Sequence, residues 1–270
     1  MFRLVSWNVL ADAYIRPRFY PRVDPAWLVP GARIRPIVEH LAASDADVAC
    51  LQEIEPPLAL ALEQAGGWRV HYVPKRGKPD GCAVLARRAA VLEGVRTIEF
   101  ADGAPDREDS GHVALIATVR VGEDRCRVAT THVRWDPPET PMEQRWSMRE
   151  VRELLRAIGD PEDCVACGDL NFEPSDAPYA MMLEAGFVDP CPLLPTANPN
   201  GRAKRIDHLL CGRGLRATPG PILAIDDETP LPSPAMPSDH LPIGAAIEIG
   251  GAARPAIDEQ GRTRRRSAIL

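Results

Sequence analysis

The residues of this sequence best suited to chemistry are Asn8, Glu53, His132, Asp169, Asn171, Asp207, Asp239 and His240. Each lies where a short apolar run meets a loop. Ser6-Trp7-Asn8 and Leu51-Gln52-Glu53 close two such runs, Thr131-His132 closes another, and Gly168-Asp169-Leu170-Asn171 follows a run that carries two cysteines. Arg205-Ile206-Asp207-His208 opens a later run, and Ser238-Asp239-His240 precedes the last. Mg2+ prefers oxygen ligands, keeps several waters and takes one or two carboxylates, a requirement that Glu53, Asn8 and Asp239 fit. Asp169 suits the orientation or deprotonation of an attacking water, with the Asn171 amide contacting a phosphate. A histidine beside a carboxylate, such as His240, supports charge developing on phosphoryl oxygens, and His132 is a second donor to them. A lone Asp-x-Asn after a strand is commonly a turn or a cap, so the reading rests on the set. His40, His71 and His208 read as surface or satisfied histidines, and His112 as structural.

The runs that must position these groups are short and β-rich. They cover Arg3–Val9, Val48–Leu51, Ala83–Ala86, Val113–Val121, Arg125–His132, Cys164–Gly168, Ile206–Cys211 and Ile243–Ile249. Helical periodicity marks Arg33–Ala43, Met142–Ile158 and Asp176–Glu184. Turns rather than helices join several runs, which excludes a purely parallel sheet. The order predicts an α/β fold of two packed mixed β-sheets with helices outside, in one domain over 1–250. Strand ends on one rim of such a fold can meet in a single crevice. Residues 251–270, rich in Gly, Ala and Arg and lacking an apolar period, read as a disordered Arg-rich tail.

Bulk composition narrows the partners. The chain of 270 residues has a formal net charge of −6; five arginines against two acids give residues 251–270 a charge of +3, which leaves −9 on residues 1–250. A body this acidic is unsuited to gripping long nucleic acid on a basic surface, but it tolerates a short single strand or a nucleotide at a metal site. No apolar stretch approaches the roughly 20 residues that a membrane helix needs, and the N-terminus lacks a signal-peptide layout. No obligate protein partner is evident. Seven scattered cysteines read as reduced thiols of a cytoplasmic protein. Cys164 and Cys167 lie three apart on a predicted strand, so they point to opposite faces and cannot share a metal.

In order along the chain, Ser-Trp-Asn8, Leu-Gln-Glu53, Thr-His132, Gly-Asp169-Leu-Asn171, Arg-Ile-Asp207 and Ser-Asp239-His240 resemble the motifs of the endonuclease/exonuclease/phosphatase superfamily, over about residues 2–249. The resemblance implies a four-layer α/β sandwich and a Mg2+-dependent hydrolase, with Mn2+ able to substitute. It further implies Glu53 as the main metal ligand, Asp169 as water activator, Asp207 as the acid paired with His240, and Asp239 close to the metal.

Within the superfamily, three stretches are most similar to the deadenylase–nocturnin–angel branch. They are Asn8-Val9-Leu10-Ala11-Asp12-Ala13-Tyr14, Lys78-Pro79-Asp80-Gly81-Cys82-Ala83-Val84 and Thr131-His132-Val133-Arg134-Trp135-Asp136-Pro137. The last places Trp135 and Pro137 among the substrate-binding residues, since in such deadenylases that proline helps sandwich a base. Arg202 stands where those deadenylases have a phenylalanine that stacks on adenine; an arginine can stack or grip a phosphate. Lys75, Arg76, Lys78 and Arg202 form a candidate basic rim. These features imply an RNA 3′-end nuclease or RNA-end phosphodiesterase on short single strands, with a nucleotide phosphatase and a catalytically dead binding domain as alternatives.

Overall fold

In a computed structural model of the chain, residues 1–87, 90–103 and 108–249 are described; the tail at 251–270 lies outside them. The fold is the expected four-layer sandwich. One six-stranded sheet has the order β11-β12-β1-β2-β4-β3. Its strands are β1 (Phe2–Asn8), β2 (Val48–Ile54), β3 (Arg69–Pro74), β4 (Gly81–Ala86), β11 (Leu215–Pro219) and β12 (Ile243–Ile249). The other has the order β5-β6-β7-β8-β10-β9. It comprises β5 (Ala90–Glu99), β6 (Val113–Val121), β7 (Asp124–Thr131), β8 (Cys164–Asp169), β9 (Phe187–Val188) and β10 (Asp207–Gly212).

Each sheet holds one parallel pair, β1 with β2 and β7 with β8, and all other neighbours are antiparallel. A parallel pair needs a crossover. Helix α1 (Ile34–Ala43) supplies it between β1 and β2, and α3 (Trp146–Ile158) between β7 and β8. The crossovers decide where the site lies. β1, β2, β7 and β8 run the same way toward the rim at which their polar terminal residues gather, and β10 and β12 start from it.

Three apolar clusters hold the layers together. Between the sheets, Phe2, Leu4, Val84, Leu115, Val128, Val165, Leu209 and Ile247 interdigitate. Outside the first sheet, α1 and α2 (Pro56–Ala65) bury Ile37, Leu41, Leu58 and Leu62 against Leu51 and Leu85. Outside the second, α3 and α4 (Ala177–Glu184) bury Val151, Leu154 and Met182 against Ala166 and Leu210. Cys164 joins that outer cluster and Cys167 the inner one, the opposite facing that strand geometry requires. All seven cysteines are buried and free.

Sequence patterning missed β3, β5, β9, β11 and α2. β3, β5, β9 and β11 are edge strands. β3, β5 and β11 have mixed exposure, so they lack the clean apolar run that marks their neighbours. α2 begins on two prolines, which fit the first helical positions but read as loop. The helix expected from Met142 begins at Trp146, after a 3-10 turn over Met142–Gln144. Asp136 accepts from the Trp146 and Ser147 N–H groups at 2.8 and 2.9 Å and caps it there.

Candidate active site

Glu53 owes its position to a fault in the sheet. The register of β2 with β4 shifts between Gln52 and Ile54, and Glu53 takes a left-handed φ of 55° that a bulge imposes. The bulge turns the carboxylate off the sheet, where Asn8 Nδ2 donates to Oε1 at 3.1 Å and the Ala11 N–H to Oε2 at 2.9 Å. The Asn8 Oδ1 accepts from the Leu10 N–H at 2.9 Å, and that bond settles which amide atom faces which way. Asn8 therefore enters as a donor that also reaches Asp169 Oδ2, at 2.8 Å, and orients both carboxylates.

Asp169 ends β8 and lies directly across from Asp207 of β10. Gly168 before it has φ +147°, and a Cβ there would stand 1.9 Å from the Thr131 carbonyl oxygen, so only glycine lets β8 pass this close to β7. The Asn171 N–H donates to Asp169 Oδ1 at 3.1 Å. Asp207 receives the Thr196 hydroxyl on Oδ2 at 2.8 Å and holds His240 Nδ1 at 2.9–3.0 Å. His240 Nε2 thereby points at Asp169 Oδ2, 3.7 Å away. The loop before His240 is fastened by Ser238 Oγ donating to the Asn8 carbonyl and by Trp7 Nε1 donating to the His240 carbonyl.

His132 completes the cluster from the other side, with Nε2 3.5 Å from Asp169 Oδ2 and Nδ1 3.8 Å from Glu53 Oε1. Asn171, at φ 52°, donates Nδ2 to the Val133 carbonyl at 2.9 Å, 3.0 Å from His132 Nε2. His112, read as structural, sits behind His132, its Nδ1 2.7 Å from the His132 carbonyl oxygen.

Lys75 requires a correction. Expected on an exposed basic rim, it is 2% exposed, because its ammonium pairs with buried Asp80 at 2.5 Å and lies 3.0 Å from His132 Nδ1. Asp80 also receives the Tyr14 hydroxyl at 2.6 Å. Donors therefore face both ring nitrogens of His132, Lys75 at Nδ1 and Asn171 at Nε2. Arg76 stays exposed, paired with Asp109. Trp135 is 55% exposed, Pro137 partly so, and Arg202 is exposed. His208 is a buried core histidine, its Nε2 2.8 Å from the Phe172 carbonyl and its Nδ1 3.8 Å from Asp189 Oδ2.

Sequence reading passed over Tyr14, Tyr20, Arg33 and Thr196. Arg33, buried ahead of α1, binds the carbonyls of Val9, Leu10 and Pro237 and pairs with Asp12, so one guanidinium ties the loop after Asn8 to the loop before His240. Its sequence signal was only a helix start; the pairing across the chain has no local signature.

The electrostatics follow from burying acids together. Burial pushes Asp169 up to about 7 against the pull of His240, with Asp207 adding to the rise. Burial and the charge of Asp239 raise Glu53, while Lys75 opposes them. Burial works against charge on His240, but Asp207 and then Asp169 outweigh it and hold the imidazolium well above its ordinary range. His132 shifts the other way, well below, through burial and then the Lys75 charge.

The same donors suit a cation. Glu53, His132 and Asp169 offer atoms within 4.8 Å of one another, as do Asp169, Asp207 and His240. Asp239, 3% exposed, receives Tyr20 on Oδ2 at 3.0 Å, while its Oδ1 is buried without a partner among the described residues. An orphaned carboxylate oxygen beside Glu53 is what a hard divalent ion would satisfy.

The family described as Endonuclease/Exonuclease/phosphatase matches residues 5–240. Carbon catabolite repressor protein 4 homolog 4 of Arabidopsis thaliana is 25% identical over 323 residues, covering 92% of this chain and 78% of that protein. Nocturnin of Drosophila melanogaster is 28% identical over 209 residues, which span 67% of this chain but 30% of that protein. The solved structure of ANGEL2, a 2′,3′-cyclic phosphatase, in complex with adenosine-2′,3′-vanadate superposes with a TM-score of 0.73 at 20% identity, over 91% of this chain and 95% of that one.

Proposed function

The chain belongs to the endonuclease/exonuclease/phosphatase family, in its deadenylase–nocturnin–angel branch, and from that premise we propose that it hydrolyses a phosphate ester at the 3′ end of short single-stranded RNA. One observation carries the chemistry: Asp169, pushed up to about 7, stands between His240, held charged by Asp207, and neutral His132. A carboxylate poised near neutral pH is matched to taking a proton from water. The Asn8 amide and the Asn171 N–H aim it. His240, its Nδ1 anchored, presents a charged Nε2–H to a phosphoryl oxygen, and neutral His132 flanks Asp169 on the other side.

Glu53 and Asp239 would hold the metal, while Asn8, expected as a third ligand, would orient Glu53; two carboxylates suit Mg2+, with Mn2+ able to substitute. When bound, the ion neutralises charge on the phosphate and stabilises the leaving oxygen. Trp135 and Pro137 follow His132 on an open segment and offer a flat apolar surface to a base, and exposed Arg202 suits a phosphate. The acid excess of residues 1–250 favours a short substrate over a long one. The ANGEL2 complex supports including 2′,3′-cyclic ends among the candidates.

The test offers 5′-labelled short RNAs with 3′-hydroxyl, 3′-phosphate and 2′,3′-cyclic ends, and NADP-type nucleotides, to wild type and Glu53→Gln in Mg2+. Shortened RNA or a change confined to its end supports the proposal. Phosphate release from nucleotides alone would replace it with a nucleotide phosphatase, and no activity on any substrate would leave a binding domain.

A further inference from the structure

The proposed chemistry leaves one buried pair of acids unused. Glu150, on α3, and Asp102, just after β5, are both 0% exposed. Ser110 bridges them: its N–H donates to Asp102 Oδ1 at 2.7 Å and its hydroxyl to Glu150 Oε1 at 3.0 Å. Glu150 Oε2 accepts from the Arg134 N–H at 2.8 Å, while Asp102 Oδ2 is buried without a donor among the described residues. Burial, and then a hydrogen bond with Asp102, raise Glu150 well above the ordinary carboxyl range. Two carboxyls buried this close hold one proton between them, and that proton satisfies the oxygen left over.

Two lines of hydrogen bonds run from this pair to His132. The direct one ends on the Arg134 N–H, two residues further along the chain. The other passes through Ser110, whose Oγ accepts from the His112 N–H at 3.0 Å, and His112 Nδ1 lies 2.7 Å from the His132 carbonyl oxygen. A carbonyl only accepts, so the His112 ring carries a proton on Nδ1. Burial and then the Lys75 charge push that ring down to about 3 and keep it neutral. Between the two lines, the Val133 N–H donates to the Asp169 carbonyl and the Val133 carbonyl accepts from Asn171 Nδ2, both at 2.9 Å.

Helix α3 grips the same surroundings on both sides of Glu150. Arg149 binds the carbonyls of Asp102 and Gly103, and Glu153 accepts from the Ala101 N–H at 3.0 Å. The helix thereby touches the connector after β5 and the segment after His132, and Glu150 is a side chain that reaches both.

We infer that Glu150 is a positioning residue for His132, fixing the backbone that carries that imidazole: the His132 carbonyl through Ser110 and His112, and the Arg134 N–H directly. Both Glu150 oxygens must accept, so the two acids are not interchangeable. Asn at position 102 offers an amide N–H where the shared proton stood and leaves Glu150 with both acceptors. Gln at position 150 sets an N–H against one of its two donors. Either change leaves the pair with the same single negative charge, which isolates geometry from charge. The inference rests on the phosphoester reading, in which His132 flanks Asp169.

Two readouts on the full chain in Mg2+ test it: the 1H–15N signals of the histidine rings, with His132 assigned through His132→Asn, and hydrolysis of bis(p-nitrophenyl) phosphate. Glu150→Gln should move the His132 ring signals and lower kcat about tenfold with KM within about twofold, the mark of a displaced group rather than a lost binding contact. Asp102→Asn should keep both near wild type. A general loss of packing would also move the rings of His40 and His71, which should stay in place. Ser110→Ala, which cuts the line to His112, should move the same His132 signals and serves if Glu150→Gln does not fold. Unmoved His132 signals in a folded Glu150→Gln or Ser110→Ala protein, wild-type kcat in Glu150→Gln, or an Asp102→Asn protein as impaired as Glu150→Gln overturns the assignment. If Glu53-dependent hydrolysis persists in wild type while the ring signals ignore Glu150→Gln, only the positioning role falls. If wild type hydrolyses nothing, the phosphoester reading fails and the ring signals alone decide whether Glu150 holds His132.

Discussion

Asp169 sits between two histidines that its surroundings drive to opposite charge states. Asp207 keeps His240 protonated, and burial with Lys75 keeps His132 neutral. Replacing Asp169 by Asn, Glu53 by Gln or His240 by Ala should each lower kcat by about 10²- to 10⁴-fold with the fold retained, read as turnover against melting temperature. A variant with near-normal turnover removes its residue from the site. The pH dependence of stability is a separate consequence. A carboxyl raised from 3.8 to about 7 binds its proton more tightly in the folded chain than in the unfolded one. Stability from this group therefore falls as pH rises between about 4 and 7 and is flat above. Metal-stripped wild type should lose stability relative to Asp169→Asn across that window in parallel denaturant titrations, and an unchanged difference would contradict the raised value.

At the level of elements, the site hangs on two backbone devices, the bulge at Glu53 and the close approach at Gly168, and on the buried ion pair of Lys75 and Asp80. Gly168→Ala should cost about 3 kcal/mol or more in chemical denaturation, since its Cβ would meet backbone rather than a movable side chain. Lys75→Met should cost about 3–5 kcal/mol by leaving the Asp80 carboxylate buried alone, and Lys75→Met with Asp80→Leu should cost less. The strand-end groups were legible in the sequence because each is a polar residue stopping an apolar run, and the crossovers then bring the ends to one rim. Lys75 was not. A lysine in a loop of charges looks solvated, and nothing local says that Asp80, Tyr14 and His132 will close over it. Edge strands β3, β5 and β11 escaped for a related reason, since half-exposed residues blur the two-residue period.

Across the whole molecule, two sheets share one apolar interior, and their rim supplies the acids and histidines together. Neither sheet has a site alone: Asn8 and Glu53 come from the first, His132, Asp169 and Asp207 from the second, and His240 from the lead-in to β12. Packing between the sheets thus sets the distances within the candidate site, and Leu115→Ala in that interior should cost about 2–5 kcal/mol by thermal or denaturant melting. The four-layer plan was readable because each sheet's central strands carry continuous buried runs, whereas the contacts made by Arg33 join positions more than two hundred residues apart and leave no periodic trace. Among the described residues no helix is long and apolar enough to cross a membrane.

The most direct test of the account incubates a 5′-labelled short RNA with wild type in Mg2+, wild type in EDTA, and Asp169→Asn in Mg2+. The account predicts a changed 3′ end or shortened products in the first reaction and an intact label pattern in the other two. Products that persist in EDTA or in Asp169→Asn, or their absence from all three, would contradict metal-dependent hydrolysis of RNA by this carboxylate.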